Sequence, residues 1–304
     1  MISGLLSGIF WGLGTVTLGI ATSRQVFLTA AVAAFVAPFV STFVHQTTSA
    51  GLMAGYMALR RRLPVTLRLL FTRSAVFIGL GAIFGGPLGL SFYTASIQLI
   101  GPSYSAIITS MYPAVGALFA RIFLKEELKP LQWVGLMASI GGVIVLGYSP
   151  QQGAVQNLLP GFACAVACCV SWALEAVISA VGLKDERITD QDALLIRYIN
   201  SAAFMGIVGV NAVRGWNFAA QVATSDAMLP IVGAALLALL SYLYYYQAIV
   251  GIGAARAMAL NITYSAWAML ATALLTGTLP TLKSILCAVV IVAGSLVTVN
   301  GPQK

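Results

Sequence analysis

The chain is predicted to be an all-α polytopic membrane protein, with ten transmembrane helices arranged as two inverted five-helix repeats. Three observations carry this. Hydrophobic residues make up 60% of the sequence and charged residues only 8%, a balance no soluble fold of this length tolerates. Long apolar runs recur with almost no charge inside them. The chain also reads twice: residues 91–101 and 241–251 are similar aromatic, apolar runs 150 residues apart, and the offset drifts to 152 at Gly142 and Gly294. With an odd number of spans per copy, the copies cross the membrane in opposite senses. Secondary transporters share that architecture and hold substrate near the midplane, between the copies.

About 20 apolar residues cross a bilayer, which places spans at 2–21, 35–59, 75–99, 104–124 and 131–148 in the first half. In the second half they fall at 158–181, 193–213, 228–250, 254–276 and 282–299. The chain divides into repeats at 1–149 and 150–304, forming one integral membrane unit. No basic n-region or small-residue cleavage site surrounds the first apolar run, so it reads as a retained span.

Charge orients these spans. With the N-terminus inside, one face collects Arg60, Arg61, Arg62, Arg68, Arg73, Arg121, Lys125, Lys129, Lys184, Arg187, Arg256 and Lys304, against Arg24, Arg214 and Lys283 on the other. The bias predicts cytoplasmic N- and C-termini. The net charge of +8 is then a topology signal, and the Arg60, Arg61, Arg62 cluster is an inner-face anchor with no nucleic acid implied.

Laying the copies over each other pairs Trp11 with Trp172 at offset 161 and His45 with Arg197 at offset 152. A surplus apolar piece of the first copy, 25–34, accounts for the difference, as an interfacial helix or an extension of span two. Thr48 and Ser49 then match Asn200 and Ser201, and Arg62 matches Arg214.

An ionisable residue near the bilayer centre is costly and usually faces a cavity or a partner. Glu175 in span six, Arg197 in span seven and His45 in span two are such residues. Glu175 and Arg197 either form an ion pair that fixes helix packing or face a cavity and recognise the two ends of a zwitterion. Cys168, Trp172, Glu175 and Ser179 share one face of span six, and Ser41, His45, Thr48 and Ser49 share one face of span two. Tyr242, Tyr245, Tyr246 and Ile249 share a face of span eight, and Asn261, Tyr264 and Ser265 one of span nine, with Trp267 close by. Aromatic faces of this kind serve packing, an interfacial belt or a binding site, and Tyr104 and Tyr148, near span ends, read as belt residues.

Gly85, Gly86 and Pro87 interrupt span three and Pro113 sits within span four. Each releases backbone hydrogen bonds, as a gate-related hinge or as a kink, whereas Pro38 reads as a kink. Gly4, Gly8 and Gly12, and Gly135 with Gly142, allow close helix approach. The four cysteines lie within spans without paired spacing, so neither a metal site nor a disulfide is expected. The sequence contains no Gly-Lys step and therefore no phosphate-binding P-loop. The spans lack the acids that a two-aspartate protease needs, and no ring of like charge marks a channel filter.

Pro113, the run Leu124-Lys125-Glu126-Glu127-Leu128, the Gly141-Gly142 helix and the Ala-Pro-Phe-Val-Ser-Thr-Phe-Val-His run at 37–45 resemble the EamA-like branch of the drug/metabolite transporter superfamily. Within that branch the YddG-type aromatic amino acid exporters of bacterial inner membranes are the most similar. The second copy departs from the pattern, with Tyr264 about where Pro113 falls and Gly277-Thr278 replacing Glu126-Glu127. The resemblance implies a basket of helices around a central cavity, spans five and ten peripheral, exporting amino acids from the cytoplasm by alternating access without cofactors. A drug or other metabolite exporter would share the fold. An enzyme is not expected. On this reading Trp11, Trp172, Tyr245, Tyr264 and Trp267 supply stacking contacts, while His45, Glu175, Arg197 and Asn261 orient the polar end of the substrate. Gly85, Gly86, Pro87 and Pro113 serve as gate or hinge. The expected partners are the amino acid and the lipid bilayer, with the protein a monomer or weak homodimer.

Overall fold

In the computed structural model, residues 1–28, 36–147, 158–277 and 280–300 are described; Tyr148, Thr278 and most of the surplus piece lie outside them. The helices in chain order are α1 (Ile2–Thr22), α2 (Gln25–Leu28), α3 (Val36–Leu59), α4 (Leu63–Leu69), α5 (Arg73–Ile83), α6 (Ser91–Thr109), α7 (Tyr112–Phe119), α8 (Pro130–Gly147), α9 (Leu158–Gly182), α10 (Asp190–Phe204), α11 (Trp216–Ala223), α12 (Met228–Ile252), α13 (Ala254–Asn261), α14 (Tyr264–Thr276) and α15 (Leu282–Val299). Three π-helical segments, Phe84–Leu90, Ala120–Leu124 and Met205–Val210, continue α5, α7 and α10. The chain is an all-α polytopic membrane protein. Among the described residues seven helical stretches are long and apolar enough to span a bilayer and two shorter apolar ones cover Tyr112–Leu124 and Pro130–Leu146; the 24-residue α3 falls where the sequence places span two.

Helix packing follows a two-fold relation between the copies. Span one (α1) packs on span eight (α12), and its counterpart, span six (α9), packs on span three (α5 and α6). Spans two and seven (α3, α10), four and nine (α7, α13), and five and ten (α8, α15) each pack on their own counterpart. Spans four and nine each break at a two-residue turn, Ser110 and Met111 in one, Ile262 and Thr263 in the other. Both end in a left-handed residue, Lys125 (φ 60°) and Gly277 (φ 68°).

Several expectations are corrected. The backbone stays helical across 101–103, where the Gly-Pro-Ser sequence reads as the end of span three, and the first interruption comes at Ser110. Tyr264 therefore matches Tyr112, and Pro113 matches Ser265. Pro113 stands in the first turn of α7, a place where a missing N–H costs little. Arg62 does not match Arg214. The left-handed residues ending spans two and seven are Arg61 (φ 55°) and Arg214 (φ 49°), one residue further apart than His45 and Arg197. The π-helical segment in span seven explains the step, since a π-turn accommodates an extra residue within a continuing helix.

Helices α8 and α15 meet at their glycines. A Cβ on Gly135 would lie 2.6 Å from the carbonyl oxygen of Gly294, and a Cβ on Gly294 would lie 2.6 Å from that of Gly135. Beside them the Ser139 hydroxyl donates to the carbonyl of Ile291 at 2.9 Å. The main buried cluster fills the middle of the bundle and the face carrying Arg60, Arg61 and Arg62, and includes Met57, Ile78, Leu194, Tyr246 and Met258. A second cluster on the opposite face joins Phe27 of α2 and Phe218 of α11 to Val40 and Ile231.

Candidate functional site

Two cavities meet between the copies. A vestibule of about 310 Å³ runs from the exposed Gly19 and Thr22, opposite the arginine-rich face, past Ser41, His45 and Tyr93 to Arg197. Beyond it lies a chamber of about 40 Å³, bounded by Tyr112, Glu175, Ser241, Tyr245 and Asn261. Trp11, Trp172, Tyr242 and Tyr264 line both spaces and form an aromatic collar between them. Trp11 and Trp172 are repeat counterparts, as are Tyr112 and Tyr264, so the pseudo-twofold builds two pairs of the surrounding aromatic residues.

At the wall between the two spaces Glu175 and Arg197 are paired. Arg197 Nε donates to Glu175 Oε1 at 3.0 Å, Nη2 stands 2.9 Å from the same oxygen, and Nη1 reaches Gln46 Oε1 at 3.4 Å. The Tyr242 hydroxyl donates to Glu175 Oε2 at 3.0 Å. The guanidinium carbon lies 3.5 Å from the Tyr242 ring centroid and 4.9 Å from that of Tyr198, a cation–π arrangement. Glu175 is 4% exposed and Arg197 1%; a buried charge is retained when paired and hydrogen-bonded in this way. Glu175 nevertheless borders the chamber and Arg197 the vestibule.

Glycines of span three seat this pair. Gly81, Gly85 and Gly89 face Ser179, Glu175 and Trp172 in turn: a Cβ at Gly85 would overlap the Glu175 carboxylate, and one at Gly89 would lie 2.6 Å from Trp172. Gly86 packs on Ser201. The Trp172 indole N–H donates to the Gly85 carbonyl at 3.2 Å. Gly85, Gly86 and Pro87, predicted as an interruption, instead lie in the continuous π-helical segment Phe84–Leu90, with Gly85 packed on span six and Gly86 on span seven.

Asn261 closes the chamber with a buckle across four helices. It accepts from the Tyr112 hydroxyl at 2.9 Å and donates to Ser7 Oγ at 2.7 Å, while Ser241 donates to the Ser7 carbonyl at 2.9 Å. His45, 7% exposed, lines the vestibule. Trp267 lines neither space: its indole donates to Thr263 Oγ1 at 3.3 Å, and its Cβ packs over Gly12 of span one. Sequence reasoning missed Tyr112, Tyr198 and Gln46. Tyr112 was within reach, since setting the copies one residue on aligns it with Tyr264.

Toward the arginine-rich face the chamber is sealed by the buried Tyr246, Ile249 and Met258. Further out, Glu126 accepts from the N–H groups of Ala254 and Ala255 at 2.9 and 3.0 Å, capping α13 beside grooves of about 650 and 260 Å³. Among the described residues no three His, Cys, Asp or Glu side chains gather as a metal site, and the four cysteines are free thiols.

A family model described as the EamA-like transporter family matches residues 1–148 and 159–300. Protein LicB of Haemophilus influenzae is 28% identical over 268 residues, 88% of this chain and 85% of that protein. The aromatic amino acid exporter YddG of Ancylobacter novellus is 27% identical over 109 residues, 33% of this chain and 35% of the exporter. A crystal structure at 18% identity superposes with a TM-score of 0.75, covering 98% of this chain and 96% of the other, which is a likeness of fold.

Proposed function

The chain belongs to the EamA-like transporter family, and on that premise we propose that it exports amino acids, aromatic ones included, across the bacterial inner membrane by alternating access. In this reading the chain divides into two repeats, 1–149 and 150–304, that form one integral membrane unit. The arginine-rich face is cytoplasmic on the charge rule, so the vestibule faces outward. No covalent step or cofactor enters the cycle, and the protein works as a monomer or weak homodimer within the lipid bilayer.

One observation carries the reading: an aromatic collar separates a chamber bearing a carboxylate, Glu175, from a vestibule bearing a guanidinium, Arg197. An ammonium group in the chamber neighbours Glu175 and the ring faces of Trp11, Trp172 and Tyr264. Arg197 uses its Nε and one N–H of Nη2 for Glu175 and one N–H of Nη1 for Gln46. Of the five N–H groups of a guanidinium, both Nη atoms keep one for a substrate carboxylate. The apolar walls of the vestibule suit an aromatic side chain. The likeness to the aromatic amino acid exporter over 109 residues supports the same class.

A second reading, a small organic cation, is favoured by the stacking of Arg197 on Tyr242, because those ring faces already hold a cation. Counterflow in proteoliposomes separates the two. Trans phenylalanine or tryptophan accelerates uptake of labelled phenylalanine on the first reading; on the second, a tetraalkylammonium ion exchanges and amino acids do not. Exchange of neither class refutes both.

A further inference from the structure

The pseudo-twofold allows one corner of the fold to be compared with its own counterpart, and the two corners differ in chemistry. On the arginine-rich face the chain leaves α3 through left-handed Arg61 and lays α4 beside the start of α10. There the fully buried Asp192 carboxylate receives Arg62 Nε at 3.1 and 3.2 Å and Nη2 at 2.7 Å. It also accepts from the hydroxyls of Thr66 and Thr189 and from the Thr189 N–H at 3.0 Å. Nearby, Ser74 at the start of α5 donates to Asp185, in the loop before α10, at 2.9 Å.

On the opposite face the chain leaves span seven through left-handed Arg214 and lays α11 beside the start of α3. The register that matches His45 with Arg197 makes Val40 the counterpart of Asp192. The register that matches Arg61 with Arg214 makes Gly215 and Ala219 the counterparts of Arg62 and Thr66. That corner is apolar: Val40 and Ala219 belong to one buried cluster, and a Cβ on Gly215 would lie 2.7 Å from Val40 Cγ2. The same corner is thus a charge-assisted cluster on one face and a van der Waals contact on the other.

We infer that the Arg62 to Asp192 corner is a latch that holds the arginine-rich side of the central cavity shut, and that its apolar counterpart is the weaker seal. The inference rests on the alternating-access reading. Charge-assisted hydrogen bonds are stronger than neutral ones, and pulling Arg62 away leaves a buried carboxylate short of its counter-charge. The apolar corner leaves no orphaned group when it parts. The unequal corners bias the resting protein toward the conformation with its vestibule open opposite the arginine-rich face.

The test is cysteine accessibility. Thr42 lines the vestibule; T42C, in a chain with Cys164, Cys168, Cys169 and Cys287 changed to alanine, is labelled with a membrane-impermeant maleimide from the vestibule side. R62Q, which leaves Asp192 its threonine donors, is expected to lower the ratio of vestibule-open to vestibule-closed protein about ten-fold, the ratio set by one lost charge-assisted bond, and so to slow labelling, while R62K largely restores it. Labelling of folded R62Q at the unaltered rate overturns the latch. If saturating phenylalanine or a tetraalkylammonium ion changes the labelling rate of the parent while R62Q does not, alternating access stands and the latch alone fails. If neither changes it, both readings fail together.

Discussion

Replacing Glu175 with glutamine tests whether the central ion pair serves structure, substrate or both. The substitution keeps the shape but removes the charge that faces Arg197 Nε at 3.0 Å and Nη2 at 2.9 Å. Arg197 is 1% exposed at the inner end of the vestibule, so it is left as an uncompensated, nearly buried cation. Breaking a buried pair from one side costs about 3 to 5 kcal/mol, a large share of the roughly 5 to 15 kcal/mol that holds a domain folded. Removing both charges, as in E175Q/R197Q, leaves no orphan and recovers most of that loss. Thermal unfolding in detergent reads the structural part: E175Q melts several degrees below the parent and the double variant returns close to it. Phenylalanine counterflow reads the other part, and both variants lose exchange. A single variant as stable as the parent refutes the pairing argument. A double variant that exchanges at the parental rate refutes the role of the pair in recognition.

Gly85→Ala places a methyl group on the Glu175 carboxylate and is expected to cost about 1 to 3 kcal/mol by overpacking, with counterflow lost more steeply than stability. Glu126→Gln weakens the cap on Ala254 and Ala255 by about 1 kcal/mol, and amide hydrogen exchange at the start of α13 rises accordingly. Gly135→Val drives a side chain into the Gly294 backbone, and cross-linking between α8 and α15 reports the separation. In the loop before α10, Arg187 and then Ser74 hold the Asp185 carboxyl below its ordinary range. A depressed folded-state pKa contributes stability above the unfolded value of about 3.9, lost as pH falls through the folded one. The unfolding midpoints of D185N and the parent therefore converge only in strong acid, and a gap closing near neutrality contradicts the assignment.

The spans and their doubling were legible in the sequence because hydropathy and helical period are local properties, written residue by residue. The pairing of Glu175 with Arg197 was visible only as one of two alternatives, since both outcomes give the same helical stripe. The collar was half legible. Trp11, Trp172 and Tyr264 stood out, but Tyr112 lay behind a one-residue error in matching the copies, and Tyr242 looked like a packing aromatic among others. Trp267 shares the sequence neighbourhood of Tyr264 yet turns toward Gly12, a choice made by the neighbouring helix. The π-helical segments left no readable sign: Gly-Gly-Pro looked like a break, and Met205–Val210 like ordinary helix. Both are settled by what the opposing helix presses against.

The seam between α8 and α15 has a mechanical consequence. Where two backbones touch at reciprocal glycines, there is no side chain to bend and little room to slide, so the two helices move as one post. It lines none of the vestibule or chamber, and in the proposed alternating-access cycle that suits it as the fulcrum about which the remaining helices tilt. A rotation of a few degrees at such a pivot becomes a displacement large enough to admit a small solute at the far rim. A bulky residue at Gly135 or Gly294 would then act less by unfolding the protein than by lengthening the stroke each half must travel.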